Sequence, residues 1–135
     1  MGKSPVTPKT STTKASKLEQ IVRASTIDRE QLLSGDMSIY DYYDAWSQNY
    51  DDIMKEWSYH APSHCANQLV KILKSQNLIK KGKTLKLLDI GCGTGLTAKA
   101  LLDVAPFPKD LVITGADIMP SMLNVSREKG IYSDL

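Results

Sequence analysis

The sequence has few cysteines and no long hydrophobic run. Its apolar stretches are too short to span a bilayer and its first residues form no apolar leader, so we expect a soluble, cytoplasmic protein. The two cysteines, Cys65 and Cys92, form no CxxC pair and stand at no zinc-ligand spacing from a histidine. His60 and His64 are four residues apart, but Pro62 between them disfavours one continuous helix. Neither a disulfide framework nor a metal site is expected.

An excess of charge of one sign is also absent. The 135 residues include 17 Lys and Arg against 15 Asp and Glu, a formal net charge of +2, which is too small to require nucleic acid as a partner. The acidic residues are unevenly placed, because the segment from Asp28 to Glu56 holds eight of them against Arg29 and Lys55. The length and the 41% hydrophobic content predict one domain.

The first residues are poor in apolar side chains. Residues 1–16 mix Lys, Ser, Thr and Pro and cannot bury enough surface to offset the entropy of ordering, which predicts a disordered tail. A weak helical pattern follows over 18–33, with Thr26 as its candidate N-terminal cap and Gly35 as its stop. This helix belongs to a helical segment that we expect to span residues 17–84.

Apolar residues recur at alternating spacings of four and three in the next stretch, which predicts one face of a single helix. The residues on that face are Ile39, Tyr43, Trp46, Tyr50, Ile53 and Trp57. One interpretation is that they form the buried side of a packing helix. The other interpretation is a lid whose aromatic side chains cover a bound ligand.

The second half of the chain alternates between helices and strands. An amphipathic helix is predicted over 63–76, and the short apolar run Leu85–Ile90, followed at once by glycines, is typical of a buried parallel strand. The remaining predicted elements are a helix over Leu96–Val104, a strand over Leu111–Ala116 and a helix that Ser121 caps and that ends near Gly130. This order predicts an α/β fold in which residues 85–135 form a ligand-binding unit.

The turn from Asp89 to Gly95 carries the strongest functional signal. It follows the first strand, where parallel sheets bind ligands, and glycines there let the backbone approach a ligand closely. The spacing disfavours a nicotinamide dinucleotide site, because Leu96 stands where the third glycine of that fingerprint should fall, and no Gly-Lys-Ser or Gly-Lys-Thr indicates a P-loop. The Asp89 carboxylate would repel a pyrophosphate but attract the cationic amino and sulfonium groups of S-adenosylmethionine.

A second carboxylate follows the second strand. Asp117 stands 22 residues beyond Gly95, a spacing at which dinucleotide folds place the acidic residue that accepts hydrogen bonds from ribose. Ile118 and Met122 are suited to flank an adenine ring, although ordinary helix packing explains them equally well. The candidate ligand-binding residues are therefore Asp89, Gly91, Cys92, Gly93, Gly95, Asp117, Ile118 and Met122.

These two motifs resemble those of a known family. The run from Leu87 to Gly95 resembles the first motif of class I S-adenosylmethionine-dependent methyltransferases, and the runs 115–118 and 121–123 resemble the second. Upstream, the runs 43–46, 49–51 and 59–62 are similar to the N-terminal helices of the methyltransferase-like proteins first described from the Williams-Beuren region. In those proteins this segment closes over the cofactor, which by similarity implies that Tyr50, and Trp46 with it, face the cofactor.

The resemblance implies a truncated, Rossmann-like sheet. In this family the third strand pairs with the second and the fourth with the first. Here two strands are present and a third begins at residues 132–135, where the sequence ends. The strand Leu85–Ile90 is then expected to keep one unpaired edge, which predicts marginal stability and self-association through that edge.

The resemblance also implies S-adenosyl-L-methionine as the cofactor and methyl transfer, with inversion at the methyl carbon, as the leading functional hypothesis. The main catalytic task would be alignment of the reactants, so no catalytic residue is named. The alternative hypothesis is a non-catalytic methyltransferase fragment that acts in cofactor or protein binding. The methyl acceptor stays open, with a small molecule or a protein favoured over nucleic acid.

Overall fold

The structure, a computed structural model, describes residues 14–135, except for the side chains at positions 14–18, 24, 25 and 27. Within this range the helices and strands follow in the order α1 (Lys14–Ser34), α2 (Ile39–Trp46), α3 (Tyr50–Glu56), α4 (Ala61–Ser75), β1 (Leu85–Ile90), α5 (Leu96–Val104), β2 (Leu111–Ala116) and α6 (Pro120–Lys129). The class is α/β, and the predicted order of elements is confirmed. None of the helices in the described range is long and apolar enough to cross a membrane.

Helix α1 is longer than the sequence pattern predicted. Most of the predicted tail lies outside the described residues, but α1 begins at Lys14, so the last three residues assigned to the tail are helical. Thr26 lies inside α1 instead of capping it, because its hydroxyl donates to the carbonyl oxygen of Val22 at 3.0 Å, a bond typical of threonine within a helix. Gly35, at a φ of +85°, follows the helix end as predicted.

The aromatic stripe lies on two helices, so the prediction of a single helix is wrong. The chain tightens after α2, where Ser47 N–H bonds to Asp44 O and Asn49 N–H bonds to Trp46 O, both three residues back. The Ser47 hydroxyl also donates to Asp44 O at 3.0 Å, and such local bonds compete with a continuous helix. Helix α3 then begins at Tyr50.

Helix α4 begins two residues earlier than predicted. Pro62 lies in its first turn, where the missing N–H costs nothing, so it does not break the helix as expected. His64 N–H bonds to His60 O, and the two rings lie 6.4 Å apart. Within residues 14–135 no group of three His, Cys, Asp or Glu side chains is arranged to hold a metal ion.

Strands β1 and β2 have the predicted bounds and pair in parallel, with Leu85 opposite Leu111 and Ile90 opposite Ala116. Helices α4 and α5 cover one face of this pair with the core residues Ala66, Val70, Ala98, Leu101, Ala105, Leu111 and Ile113. The predicted burial of β1 holds for one face only, since Leu88 is 63% and Ile90 80% exposed. Among the described residues, helices pack against one face of β1 only.

The segment after α6 lies beside β2, on the edge opposite β1. Ser133 N–H donates to Ile113 O at 2.8 Å, and Gly115 N–H donates to Asp134 O at 3.0 Å. Thr114 and Asp134 form an isolated parallel bridge. The third strand predicted at 132–135 therefore begins to pair in the expected place, and the Rossmann-like arrangement is confirmed for this part of the sheet.

Candidate functional site

The glycine turn between β1 and α5 adopts a conformation that favours glycine. The φ angles of Gly91, Gly93 and Gly95 are +73°, +52° and +88°, in the left-handed region. The turn is held against the end of β2, because the N–H groups of Gly91 and Cys92 both donate to Ala116 O, at 2.7 and 3.1 Å. A Cβ atom added at Gly91 or Gly93 would meet nothing within 4 Å, so both face open space.

Gly95 differs from the other two glycines of the turn. A Cβ atom there would lie 3.2 Å from both Ser126 Oγ and the Tyr132 ring. Gly95 therefore allows the turn to pack closely against α6 and the segment after it. Its role is packing between elements, since it does not line the cavity that the other two glycines border.

Asp117 joins the two strand ends. Its Oδ2 accepts a hydrogen bond from Gly93 N–H at 2.8 Å, and its Oδ1 accepts one from Met119 N–H at 2.9 Å. A carboxylate has about four acceptor positions, so both oxygens can accept a further bond from a ligand. Helix α6 begins at Pro120, a residue favoured at the first helical position, so Met119 is its N-cap residue and Ser121, predicted as the cap, lies inside the helix. The Ser121 hydroxyl is instead buried and has no hydrogen-bond partner among the residues that the structure describes.

A cavity of about 260 Å³ lies between the strand ends and helices α2 and α3, close to the lower end of the roughly 300–1,000 Å³ usual for small-molecule sites. Its lining residues are Ile39, Tyr43, Tyr50, Gly91, Gly93, Asp117, Ile118, Met119 and Met122. Its wall is thus mostly apolar, with one carboxylate and the backbone of the glycine turn. This combination suits a ligand that has both an aromatic ring and hydroxyl groups.

Six of the residues singled out from the sequence line this cavity: Tyr50, Gly91, Gly93, Asp117, Ile118 and Met122. Asp89 and Cys92 do not. Asp89 accepts a hydrogen bond from the Tyr132 hydroxyl at 2.7 Å. The buried Cys92 thiol lies under the turn, where burial first, and then the charges of Asp89 and Asp117, raise its pKa.

The residues of the aromatic stripe are divided between a buried core and the cavity wall. Trp46 and Ile53 are buried in a core between α1, α2 and α3, and Trp46 Nε1 donates to Asp28 at 3.3 Å. Trp46 therefore belongs to that core instead of facing the cavity. Ile39, Tyr43 and Tyr50 border the cavity, as the lid interpretation predicts.

Three cavity residues were not among the predicted binding residues. Ile39 and Tyr43 belong to the stripe at a spacing of four, so the period that revealed the stripe could have identified them. Met119 offered no signal, because its place in the wall depends on its backbone bond to Asp117.

Tyr50 lines the cavity and is a neutral phenol at physiological pH. Burial, and then the neighbouring Tyr43, raise its pKa to about 12. Its hydroxyl therefore keeps its proton at physiological pH and can donate a hydrogen bond into the cavity.

Comparison with known proteins places these features in a family. Residues 88–135 match the family described as "Methyltransferase domain". Methyltransferase-like protein 27 of Homo sapiens is 31% identical over 94 residues, which cover 70% of this chain and 35% of that protein. Malonyl-[acyl-carrier protein] O-methyltransferase of Acetivibrio thermocellus is 37% identical over 83 residues, which cover 62% of this chain and 25% of that protein. The chain thus spans about a third or less of the length of these relatives.

A solved structure is also similar. It is a chain of the complex that contains the Haloferax volcanii Trm112 methyltransferase activator. The identity is 22% and the TM-score 0.48, and the match covers 73% of this chain and 39% of the other.

Proposed function

We propose that the chain binds S-adenosylmethionine in the cavity between the glycine turn and helices α2 and α3, and serves in methyl transfer. The match of residues 88–135 to a methyltransferase domain and the similarity to two methyltransferases support this proposal. The observation that carries the proposal is the Asp117 carboxylate, which borders an otherwise apolar cavity and keeps free acceptor positions. Few ligand classes match such a wall as well as a nucleoside does.

The lining residues fit the parts of this cofactor. Asp117 accepts the two ribose hydroxyls with the lone pairs that Gly93 and Met119 leave free. Ile118 and Met122 flank the adenine ring. The positive φ angles of Gly91 and Gly93 leave open space on the cavity side, where the backbone can approach the methionine portion.

The other predicted residues near the turn, Asp89, Cys92 and Gly95, do not line the cavity and support the residues that do. Asp89 holds the Tyr132 hydroxyl, and through its charge it favours a cationic group near the turn. Cys92 and Gly95 pack the turn against β2 and α6. Tyr50 closes the cavity from the side of α3.

S-adenosylmethionine supplies a methyl group already activated on a sulfonium. The residues of this chain therefore have to bind and orient it and to exclude water, and alignment of two reactants can contribute several kcal/mol without an acid or a base. No residue is assigned a proton-transfer role. The small net charge favours a small molecule or a protein as the acceptor over nucleic acid.

Calorimetric titration with S-adenosylhomocysteine tests the proposal. The unmodified chain is expected to bind. Asp117→Asn is expected to weaken binding about ten- to a hundredfold, since hydrogen bonds to a charged group contribute about 1.5–3 kcal/mol. Asp103→Asn is the matched control, because Asp103 is an exposed aspartate of α5 that pairs with Lys99 one turn away and does not line the cavity. Absence of binding by a folded chain, or equal binding by the two variants, would refute the proposed site.

A further inference from the structure

Three polar residues far apart in the sequence meet where α3, the glycine turn and α6 come together. The Thr94 hydroxyl donates a hydrogen bond to Asp51 Oδ1 at 2.6 Å, and Lys129 Nζ donates to Asp51 Oδ2. Lys129 Nζ also donates to the Thr94 carbonyl oxygen at 2.6 Å. In this cluster of Asp51, Thr94 and Lys129, which we call the latch, each residue forms a hydrogen bond with the other two.

The latch is partly shielded from water. Thr94 is 1% exposed, and the side chains of Lys129 and Asp51 are 23% and 37% exposed. An ion pair between exposed side chains contributes little because solvent screens it. The pair of Lys99 and Asp103, with side chains about 60% exposed, is of that kind. The latch differs because its ion pair also bonds to a buried threonine, which makes its geometry specific.

Each member of the latch adjoins the wall of the cavity. Asp51 follows Tyr50, and Thr94 follows Gly93, while Tyr50 and Gly93 both line the cavity. Lys129 ends α6, a helix whose first turn also lines it. A movement of Asp51 away from Thr94 would carry Tyr50 away from the glycine turn and open the cavity on the side of α3.

We infer that Asp51, Thr94 and Lys129 are positioning residues that hold α2 and α3 closed over the cofactor cavity. The inference rests on the proposed function, because closure affects affinity only if the cavity binds a ligand. None of the three residues lines the cavity. Their effect on binding is exerted through Tyr50 and Gly93.

Variants that break the latch at each member test the inference. Asp51→Asn and Lys129→Met remove the ion pair, and Thr94→Val removes the hydroxyl at nearly constant size. Each is expected to weaken S-adenosylhomocysteine binding roughly tenfold, which corresponds to the loss of a hydrogen bond or two. Because the residues act as one unit, the double variant Asp51→Asn/Lys129→Met should bind about as well as the weaker single variant. Lys129→Arg, which keeps the charge and the donors, should restore most of the affinity.

Hydrogen exchange of the ligand-free chain provides a readout that needs no ligand. The amides of α3 should exchange severalfold faster in Asp51→Asn, while those of α4 and α5 keep their rates. Asp52→Asn is the matched control, because Asp52 is the next residue on α3, has the same charge and is exposed. This control should match the unmodified chain in affinity and in exchange.

The inference requires both readouts to change in the latch variants. Unchanged affinity or unchanged amide exchange in α3 would overturn it. So would an exchange rate that rises equally in all helices, because such a rise indicates a global loss of stability. If the unmodified chain binds no S-adenosylhomocysteine, the proposed function fails and exchange alone decides on the latch. Faster amide exchange in α3 alone, in Asp51→Asn and not in Asp52→Asn, then supports the latch. An equal increase of exchange in all helices overturns it.

Discussion

The Tyr132 hydroxyl donates a hydrogen bond to the Asp89 carboxylate at 2.7 Å, so the carboxylate of the first motif is bonded to the segment after α6. The same tyrosine ring lies 3.2 Å from the Cβ position of Gly95 and 3.0 Å from that of Gly115. Burial, and then the bond to Asp89, raise the pKa of Tyr132 above its ordinary value. One side chain thus contacts the first strand, the second strand and the glycine turn.

Tyr132→Phe removes this hydrogen bond and keeps the ring. We expect the free energy of unfolding to fall by about 1–3 kcal/mol, because the partly buried Asp89 carboxylate loses a partner. Urea denaturation measures this change. Binding of S-adenosylhomocysteine should weaken less than in Asp117→Asn, since Tyr132 does not line the cavity. A variant as stable as the unmodified chain would show that the bond contributes nothing.

Alkaline pH should destabilise the chain through its buried tyrosines. Burial is the main cause that raises the pKa of Tyr42 and of Tyr50 from 10.0 to about 12, so the folded state favours the neutral phenols. Their contribution to stability is complete below about pH 10 and is lost as the pH rises toward 12. Tyrosinate absorbance should therefore rise at higher pH in the native chain than in urea, and Tyr50→Phe should remove part of the delayed rise. Coincident titrations in the two solvents would contradict this prediction.

Gly93→Ala should affect stability and binding together. Alanine at a φ of +52° costs about 1–2 kcal/mol, and the strain falls on the residue whose N–H bonds to Asp117. Gly82→Ala is the control, because Gly82 has a φ of +72° and equally open surroundings but lies outside the cavity. Urea denaturation should show similar losses in both variants, and calorimetry should show weaker S-adenosylhomocysteine binding in Gly93→Ala alone. Equal affinities of the Gly93→Ala and Gly82→Ala variants for S-adenosylhomocysteine would show that Gly93 is not part of the binding site.

Local sequence signals were sufficient to predict the helices and strands in the second half of the chain. The strands Leu85–Ile90 and Leu111–Ala116 and the helix Leu96–Val104 were predicted with the bounds that the structure has. Each is a short apolar run between glycines, prolines or polar residues, so the neighbouring residues indicate where it begins and ends. The stop at Gly130 was predictable for the same reason, as a glycine at positive φ.

Local backbone bonds after α2 and bonds between distant residues explain what the sequence could not reveal. Periodicity continued through Ser47 and Asn49, although backbone bonds three residues back end α2 there. Motif position predicts that Asp89 faces the ligand, and this stays a prediction; its hydrogen bond to Tyr132, 43 residues further along the chain, could not be foreseen. The latch joins residues that no local pattern connects. Contacts of this kind depend on the packing of separate elements and leave no signal in the neighbouring residues.

Self-association through the free edge of β1 stays a prediction that solution measurements can decide. Among the described residues β1 pairs with β2 alone, and the exposed Leu88 and Ile90 leave an apolar strip beside that unpaired edge. Such edges pair with other chains, and a charged side chain on them opposes pairing. Sedimentation should therefore show a concentration-dependent dimer that Leu88→Lys weakens at least severalfold. Leu78→Lys, at a similarly exposed leucine outside the sheet, should leave the dimer unchanged. A chain that sediments as a monomer at every concentration would refute association through this edge.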